Sequence, residues 1–425
     1  MLKYWHSGRV FRTLRPVLLC LLVAAPALVL RITGLGVPAV VAMLLFGAAV
    51  VAAAFTLAWA AEAAEVDISG GLAVAILAVI AVLPEYAVDL FFGYRAGSDP
   101  SYAQFAAANM TGSNRLLLGL GWPVVVLLSL LVASRRSGRT VREVVLEAGN
   151  RLELGFLLVA SVLAFVMPLT ASISWLLGCV LLGWFAFYLV RVARGGHDGE
   201  PDLVGPAAHI GALSTRIRRP VVVAMFVLAA AVIVVCAEPF AEALIATGSA
   251  LGVDQFLLVQ WLAPLSSEAP EFIVAIIFAV RGKAAAALAM LISAKVNQWT
   301  LLIGSLPIAH LLGGGNGVLV LDARQVEEVL LTATQTLLGV SLLLALRFPR
   351  WGAVALLGLF AVQFVVPGTT GRLVISGVYA ALAVVLFVVH RSHLRPTLAA
   401  PFRRIPAEAD VAGGARAPEV VRSHA

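Results

Sequence analysis

The chain of 425 residues is 61% hydrophobic and only 12% charged, and its mean hydropathy is +1.00. About a quarter of the residues of a soluble protein are charged, so this composition excludes a soluble globular protein and indicates a polytopic protein of the lipid bilayer. The net charge of +7 does not indicate nucleic-acid binding, because the basic residues fall in short loops between apolar stretches. Cys20, Cys179 and Cys236 lie in apolar runs without a CxxC pattern, which favours neither a disulfide nor a bound metal.

About twelve apolar stretches are long enough to cross a bilayer. The first and the last stand apart from ten that divide into two groups of five. Because five is odd, the second group must be inserted upside down relative to the first. The predicted fold class is an all-α polytopic membrane protein with two inverted five-helix repeats and an extra helix at each end. The stretches are residues 16–33, 38–64, 68–92, 102–134, 151–170, 172–192, 220–246, 253–280, 284–312, 325–346, 351–367 and 373–391.

The distribution of Lys and Arg predicts the orientation of the chain. They concentrate in the loops that a cytoplasmic N-terminus would place inside the cell, so both termini are predicted to be cytoplasmic and the protein to lie in the cell membrane. The stretch 102–134 is too long for one straight helix and should break or tilt near residues 119–123. The predicted segments are an N-terminal cytoplasmic segment with the extra helix (1–37), the first repeat (38–192), a flexible cytoplasmic linker (193–219), the second repeat (220–367), the second extra helix (368–391) and a disordered cytoplasmic tail (392–425).

Two proline-linked acidic segments lie inside apolar sequence, Leu-Pro-Glu at 83–85 and Ala-Pro-Glu at 269–271, the latter preceded by Glu268. A charged side chain inside the bilayer is costly and usually faces a water- or ion-filled cavity. Proline denies the backbone a helical hydrogen bond and exposes carbonyl oxygens. Matching segments in both halves therefore predict a transporter with a site for a hard cation at the repeat interface. The alternative is that the acids only pair with basic residues of a neighbouring helix.

The Leu-Pro-Glu segment and the Gly-Ser-Asn run at 112–114 resemble the alpha repeats of the sodium/calcium exchanger superfamily, whose usual pattern is GTSLPE followed by GNxxGSNxxN. The resemblance covers residues 38–367 and marks a divergent, bacterial-type member. It departs where Val82 and Glu268 replace the serine of SLPE and Leu117 replaces the last asparagine. The resemblance implies that glutamates and Ser and Asn oxygens of the following helices hold the transported cation. The predicted metal ligands are Glu85, Glu271, Glu268, Asn109, Ser113, Asn114, Ser293 and Asn297.

Lys295 and Asp89 are predicted to take part in proton or charge coupling. The ammonium of Lys295 would compete with a cation for the carboxylates, so it either replaces a bound sodium ion or exchanges a proton. The alternative for Lys295 is a structural salt bridge to Glu268. Asp89, one helical turn after Glu85, is a second ligand or a proton acceptor, or else a solvated side chain near the mouth of the site. Arg115 is predicted to pair with an acid.

The predicted function is secondary active antiport of cations, with calcium exchanged for sodium or protons by alternating access. A sodium/proton exchanger that uses Lys295 as a titrating group is the alternative. The chain has no GxxxxGK[ST] motif for ATP and no HExxH or GxSxG motif, so we predict neither ATP drive nor an enzyme. No cofactor is expected, since Ca2+, Na+ and H+ are the transported ions. The abundant Ala and Gly indicate no particular oligomeric state.

Overall fold

The structure, a computed structural model, describes residues 2–67, 83–194, 203–366 and 368–403. Helices dominate these residues, since backbone polar groups inside a bilayer must be satisfied within the segment itself. In the described ranges ten helices are long and apolar enough to cross a membrane. They confirm the all-α polytopic class. Of the other two predicted spans, 68–92 is described only from Leu83, and 351–367 forms the shorter helix Arg350–Val362.

The helices, numbered here in chain order, alternate with short 3-10 and π turns. In the first half they are α1 Leu2–Thr33, α2 Ala39–Ala64, α3 Leu83–Ser98, α4 Ala103–Leu116, α5 Trp122–Ser137, α6 Arg151–Leu163, α7 Val166–Thr170 and α8 Trp175–Arg194. In the second half they are α9 Gly205–Gly211, α10 Thr215–Leu251, α11 Gln255–Arg281, α12 Ala284–Asn297, α13 Ile303–Leu312, α14 Ala323–Leu343, α15 Arg350–Val362, α16 Gly368–Val389 and α17 Arg391–Ala399.

Within the described residues, two small antiparallel sheets join the halves of the chain. Strand β1 (Glu143–Val145) pairs with β4 (Arg347–Pro349), and β2 (Ser172–Ser174) pairs with β3 (Val318–Val320). Since β1 and β3 follow corresponding helices of the two repeats, and β2 and β4 do likewise, the crossed pairing is the one that a twofold axis between the repeats would generate. This relation supports the inverted repeat predicted from the count of spans.

The backbone conformation shows the same twofold relation between the repeats. Ala171 and Leu346 are the non-glycine residues with positive φ in the described chain, at 46° and 56°. Each directly precedes a strand, β2 or β4, and each carbonyl accepts a 2.8 Å hydrogen bond, from the N–H of Leu321 and of Leu146 respectively. A left-handed backbone is costly for residues with a side chain. Its occurrence at equivalent points shows that both halves end their strand connections in the same way.

The long stretch that was expected to break or tilt near residues 119–123 continues as a helix. A π turn at Leu117–Gly121 connects α4 to α5. A second π turn, Gln298–Leu302, connects α12 to α13 at the corresponding point of the other half. A π turn inserts one extra residue into a helix and often marks a functional position. The structure thus shows a π turn in place of a break, and this irregularity lies where the break or tilt was predicted.

The predicted linker and tail differ from expectation where they are described. Within the linker, residues 205–211 form α9, which packs against α2. The tail, predicted to be disordered from residue 392, forms α17 and a 3-10 turn to Phe402, packed on α6 with Thr397 and Pro401 buried. Packing of apolar side chains against a neighbouring helix outweighs the low hydrophobic periodicity that favoured disorder. Residues 195–202 and 404–425 of these segments lie outside the described residues.

Candidate cation site

The proline-linked glutamates of both halves face one cavity of about 30 Å³. A space of that size holds at least one water-sized guest. Helix α2 closes one side with two alanines, and among the described lining residues the polar ones are the glutamates and one serine. The lining residues are Ala54, Ala58, Pro84, Glu85, Ser267, Glu268, Pro270 and Glu271. The predicted convergence of Glu85 and Glu271 on one point is therefore present in the structure.

A proline directly precedes one glutamate of each half. Pro84 precedes Glu85 in α3, which the structure describes from Leu83 onward. Pro270 lies inside α11, so the carbonyl of Ser266, four residues earlier, loses its helical donor. Helix α11 continues without interruption through this point. Carboxylates and free backbone oxygen thus occur side by side near the cavity, and these are the ligand types that hard cations prefer.

Several polar atoms around the cavity have no hydrogen-bond partner among the residues that the structure describes. They include Oε1 of Glu85, Oε2 of Glu268 and Oε1 of Gln298. The other oxygen of Glu268 accepts a 2.8 Å bond from Nε2 of Gln298, and Glu85 lies beside Ser113 and Gln298. Buried polar atoms are normally satisfied, so a cluster of unsatisfied oxygens is a place that a cation or a proton can occupy.

Two of the three predicted amide ligands, Asn297 and Asn114, have protein partners. Asn297 accepts a 2.7 Å hydrogen bond from the hydroxyl of Tyr86. Oδ1 of Asn114 accepts a 2.8 Å bond from Nζ of Lys295, which also donates to the carbonyl of Asn114. The Nδ2 group of Asn114 donates to the carbonyl of Met110 at 2.9 Å. Asn109 is different, because neither of its side-chain polar atoms has a hydrogen-bond partner within the described ranges.

Lys295 does not form the salt bridge with Glu268 that was considered as an alternative. Within the described part of the chain no carboxylate lies within ion-pair distance of its ammonium, although Glu268 and Glu85 are near enough to act on it electrostatically. Its side chain is 0% exposed. The aromatic face of Trp299 lies 5.5 Å from Nζ, within the range of a cation–π contact.

Asp89 is buried rather than solvated. It is 0% exposed, and in the described part of the chain neither carboxylate oxygen has a hydrogen-bond partner. Asn109, also 0% exposed, lies beside it. The suggestion that Asp89 is a solvated residue near the mouth is therefore wrong. The reason is that α3 turns this face toward α4, one turn beyond Glu85.

Ser293 lies apart from the cavity residues. Its hydroxyl shares a 2.8 Å hydrogen bond with that of Tyr188, on α8. Ser113 points to the carbonyl of Met110 at 3.2 Å while remaining beside Glu85. Among the predicted ligands the structure thus groups the three glutamates with Ser113, and it places Ser293 on another face of its helix.

The acids alone do not form a metal cluster. Among the described residues no three His, Cys, Asp or Glu side chains stand close enough to hold one metal ion. Calcium takes about six to eight oxygen ligands. A calcium ion in this cavity would therefore need amide, hydroxyl or backbone oxygens in addition, or a closer approach of the glutamates.

Two polar features were missed by the sequence interpretation. One is Gln298, the residue after Asn297, which holds Glu268. The other is a buried ion-pair network in which Glu328 accepts from Arg115 and Arg372, each at 2.6 Å. The predicted pairing of Arg115 with an acid is confirmed. A polar residue inside an apolar span was the signal for both features, but its partners lie in distant segments of the chain.

Comparisons with known proteins agree with this geometry. The family described as sodium/calcium exchanger protein matches residues 38–193 and 221–367. The crystal structure of the H+/Ca2+ exchanger CAX is 40% identical, with a TM-score of 0.85, over 92% of this chain and 98% of that one. No curated protein matched the chain in direct sequence comparison.

Two more distant structures show the same fold. Native YfkE is 16% identical, with a TM-score of 0.56, over 86% of this chain and 99% of that one. The sodium-calcium exchanger NCX_Mj, soaked with 100 mM Na+ and 10 mM Sr2+, is 18% identical with a TM-score of 0.51, over 77% and 98% respectively. Together with the family match and the convergent glutamates, these likenesses identify the chain as a multi-pass membrane antiporter of the cation/calcium class that belongs to the sodium/calcium exchanger family.

Proposed function

We propose that the protein exchanges calcium for protons and that both bind in turn at the cavity between Glu85, Glu268 and Glu271. The observation that carries the proposal is the set of buried carboxylate oxygens, contributed by both halves of the chain, that have no hydrogen-bond donor among the described residues. An ionised carboxylate in a low-dielectric interior needs a counter-charge or a proton. Calcium and protons satisfy the same groups and exclude each other, which is the requirement for exchange.

Calcium is the favoured cargo because the side-chain ligands that the described residues offer around the cavity are oxygens. Carboxylates line it, and Ser113 and Gln298 lie beside Glu85. Hard cations such as calcium prefer this set, whereas soft metals prefer thiolates and imidazoles. The solved relative at 40% identity is an H+/Ca2+ exchanger. The cargo of that relative supports calcium here as well.

Protons are the favoured counter-ions because a carboxylate that releases calcium is neutralised by protonation without further ligands. A sodium ion needs several oxygens at once, and two that lie near the cavity, those of Asn114, already accept hydrogen bonds from Lys295. Sodium as the counter-ion is the second form of this proposal. Sodium/proton exchange without calcium is the remaining alternative.

Movement of ions across the bilayer is proposed to follow alternating access, in which one group of helices rocks against another around a fixed site. We place both termini in the cytoplasm of a plasma-membrane protein, since the basic loops gather at one end. There Arg136 donates to the carbonyls of Val280 and Arg281, and the N–H of Arg350 donates to the carbonyl of Arg142. The strands at the other sheet, β2 and β3, contain no Lys or Arg. An excess of basic residues marks the cytoplasmic side.

Calcium uptake into proteoliposomes, under an imposed pH gradient and then an imposed sodium gradient, tests the proposal. Wild type should take up calcium under the pH gradient, and Glu271→Gln should abolish uptake because it removes a charged ligand while keeping the shape of the side chain. Glu85→Gln should do the same. Glu143→Gln, which breaks an ion pair at the protein surface, is the control.

The outcomes separate the alternatives. Calcium uptake only under the sodium gradient would show that sodium, and not the proton, is the counter-ion. Exchange of sodium for protons with no movement of calcium would establish the sodium/proton alternative. Normal calcium exchange by a folded Glu271→Gln protein would contradict the assignment of the cavity as the transport site.

A further inference from the structure

Lys295 places a fixed positive charge beside the transport cavity. Its ammonium donates to both the carbonyl and the side-chain oxygen of Asn114, the latter at 2.8 Å, and faces the ring of Trp299. The side chain is fully buried. These contacts cross between the halves, since the bonded residues are 181 positions apart in the chain. The ammonium is therefore held by oxygens of the opposite repeat, rather than by a carboxylate.

Lys295 and its hydrogen-bond partner Asn114 occupy equivalent positions in the two repeats. Asn114 lies three residues before the π turn that begins at Leu117, and Lys295 lies three residues before the π turn that begins at Gln298. The twofold relation between the repeats thus brings the same helical position of each half together. In one half this position supplies oxygens, and in the other it supplies a cation.

The oxygens that Lys295 occupies are of the kind that bind sodium in transporters. Irregular helix segments offer backbone carbonyls to sodium ions, and amide oxygens complete the shell. The carbonyl of Asn114 lies just before such an irregular segment. Besides Lys295, this carbonyl accepts a hydrogen bond from the N–H of Leu117, three residues later. An ammonium group carries the same charge as sodium and has three donors for such oxygens. Lys295 thus occupies two oxygens of Asn114 that would otherwise be ligands for a monovalent cation.

The balance of charges at the cavity also indicates that Lys295 stands in for a monovalent cation. Three carboxylates line the cavity, and Lys295 is near enough to Glu268 and Glu85 to act on them. Three ionised carboxylates against one ammonium leave two negative charges, which one divalent cation neutralises. Asp89 does not line the cavity and lies beside Asn109 instead. Without Lys295 three negative charges would remain, and sodium ions at the vacated oxygens would neutralise them in competition with calcium.

We propose that Lys295 is a tethered cation that takes the place of a bound sodium ion and so makes calcium exchange by this protein insensitive to sodium. Its role is to set specificity, because the ammonium stays in place while calcium and protons alternate at the glutamates. The proposal rests on the proposed calcium exchange at the same cavity. It deepens that function by assigning the residue that excludes a second kind of counter-ion.

Calcium uptake by Lys295→Gln in proteoliposomes tests this role, with sodium and pH gradients imposed separately. In wild type a sodium gradient should drive no calcium uptake, and excess sodium should leave the KM for calcium unchanged. In Lys295→Gln a sodium gradient should drive uptake. Sodium at about ten times its dissociation constant should then raise the apparent KM for calcium about ten-fold by competition. Lys295→Arg keeps the charge and should stay insensitive to sodium.

A matched control removes a lysine of the same helix away from the cavity. Lys283 precedes the first turn of α12, and Lys283→Gln should give the sodium response of wild type. If Lys295→Gln is folded but does not transport calcium, sodium binding to the protein tests the proposal instead. Sodium should then raise the apparent Tm of Lys295→Gln and leave that of wild type unchanged, whereas equal shifts in both would overturn the proposal.

The failure of this proposal is distinct from the failure of calcium exchange. Wild type that moves calcium under a sodium gradient, or whose calcium KM rises with sodium, would overturn the role of Lys295 and leave calcium exchange intact. A folded, active Lys295→Gln protein that remains insensitive to sodium would do the same. Wild type that moves no calcium under either gradient would instead remove the proposed function. The wild-type measurements need no variant to fold.

Discussion

The hydroxyl of Tyr86 donates a 2.7 Å hydrogen bond to Oδ1 of Asn297, and both residues are buried. Tyr86 follows Glu85 in α3, and Asn297 precedes Gln298, which donates to Glu268. The bond therefore joins the two halves of the chain next to a cavity glutamate of each. It holds the two glutamates at a set distance, so loss of this hydrogen bond should alter cation binding at the cavity.

Tyr86→Phe removes the donor and leaves the oxygen of Asn297 buried without a partner. A lost hydrogen bond of this kind costs about 1–3 kcal/mol. We expect a lower apparent Tm and a KM for calcium that rises several-fold, because the spacing of the glutamates is no longer held. Thermal unfolding and initial rates of uptake measure the two effects. Tyr94→Phe, at a tyrosine 51% exposed, is the control and should change neither.

Gly112→Ala should separate two helices that touch through their backbones. A Cβ at Gly112 would overlap the carbonyl oxygen of Gln260, so α4 and α11 approach each other only because this residue has no side chain. Overpacking typically costs about 1–3 kcal/mol, and a clash with backbone leaves no flexible atom to move. We expect a lower apparent Tm together with loss of calcium uptake, since both helices carry site residues.

The control for this substitution is Gly183→Ala in α8. A Cβ at Gly183 meets no atom within 4 Å. This variant should keep the Tm and uptake of wild type, or gain slightly in stability because alanine favours a helix. Equal effects of the two substitutions would show that α4 and α11 do not approach as described.

Glu328→Gln should destabilise the protein because Glu328 neutralises two arginines. Its carboxylate lies 2.6 Å from both Arg115 and Arg372, and the side chains of Glu328 and Arg115 are only 1% and 2% exposed. Removing one member of a buried ion pair costs about 3–5 kcal/mol, since the remaining charge stays uncompensated. Thermal unfolding in detergent should show a large decrease in the apparent Tm.

An exposed ion pair provides the comparison. Glu143 and Arg347 lie 2.6 Å apart with side chains 37% and 60% exposed. Such pairs contribute about 0–1 kcal/mol, so Arg347→Gln should change the Tm very little. A Tm for Glu328→Gln close to that of Arg347→Gln would contradict the buried network.

Asp67 should make stability depend on pH. The guanidinium of Arg218 donates two hydrogen bonds to it, at 2.7 and 2.8 Å, and holds the pKa of Asp67 at about 2, below the ordinary value of 3.8. A lowered folded-state pKa means that the carboxylate stabilises the fold above pH 3.8, and that this contribution is lost as the pH falls toward 2. Asp67→Asn should therefore lower the Tm at neutral pH, and its difference from wild type should shrink between pH 4 and pH 2.

Arg219→Gln should have a smaller effect at neutral pH. Arg219 lies 3.2 Å from Asp67 with its side chain 64% exposed, so solvent weakens that pair. A difference between Asp67→Asn and wild type that stays constant down to pH 2 would contradict the lowered pKa.

Local patterns predicted the broad features of the fold and of the site. Apolar spans reveal a membrane protein because the bilayer requires long uninterrupted runs, and an odd number of spans per repeat requires inversion. The proline-linked glutamates were recognisable because an acid in such a run is costly and needs a cavity. The cavity between Glu85 and Glu271 agrees with that expectation.

The sequence by itself determined the class, the repeats and the central acids, since each of these is written in residues that are near one another in the chain. The tertiary structure alone decided the partners. It brought Lys295 to Asn114 rather than to Glu268, turned Ser293 toward Tyr188, and joined Glu328 to Arg115 and Arg372. The physical reason is that the rotation and depth of each helix depend on its packing against helices from the other half, and spacing along one segment contains no measure of either.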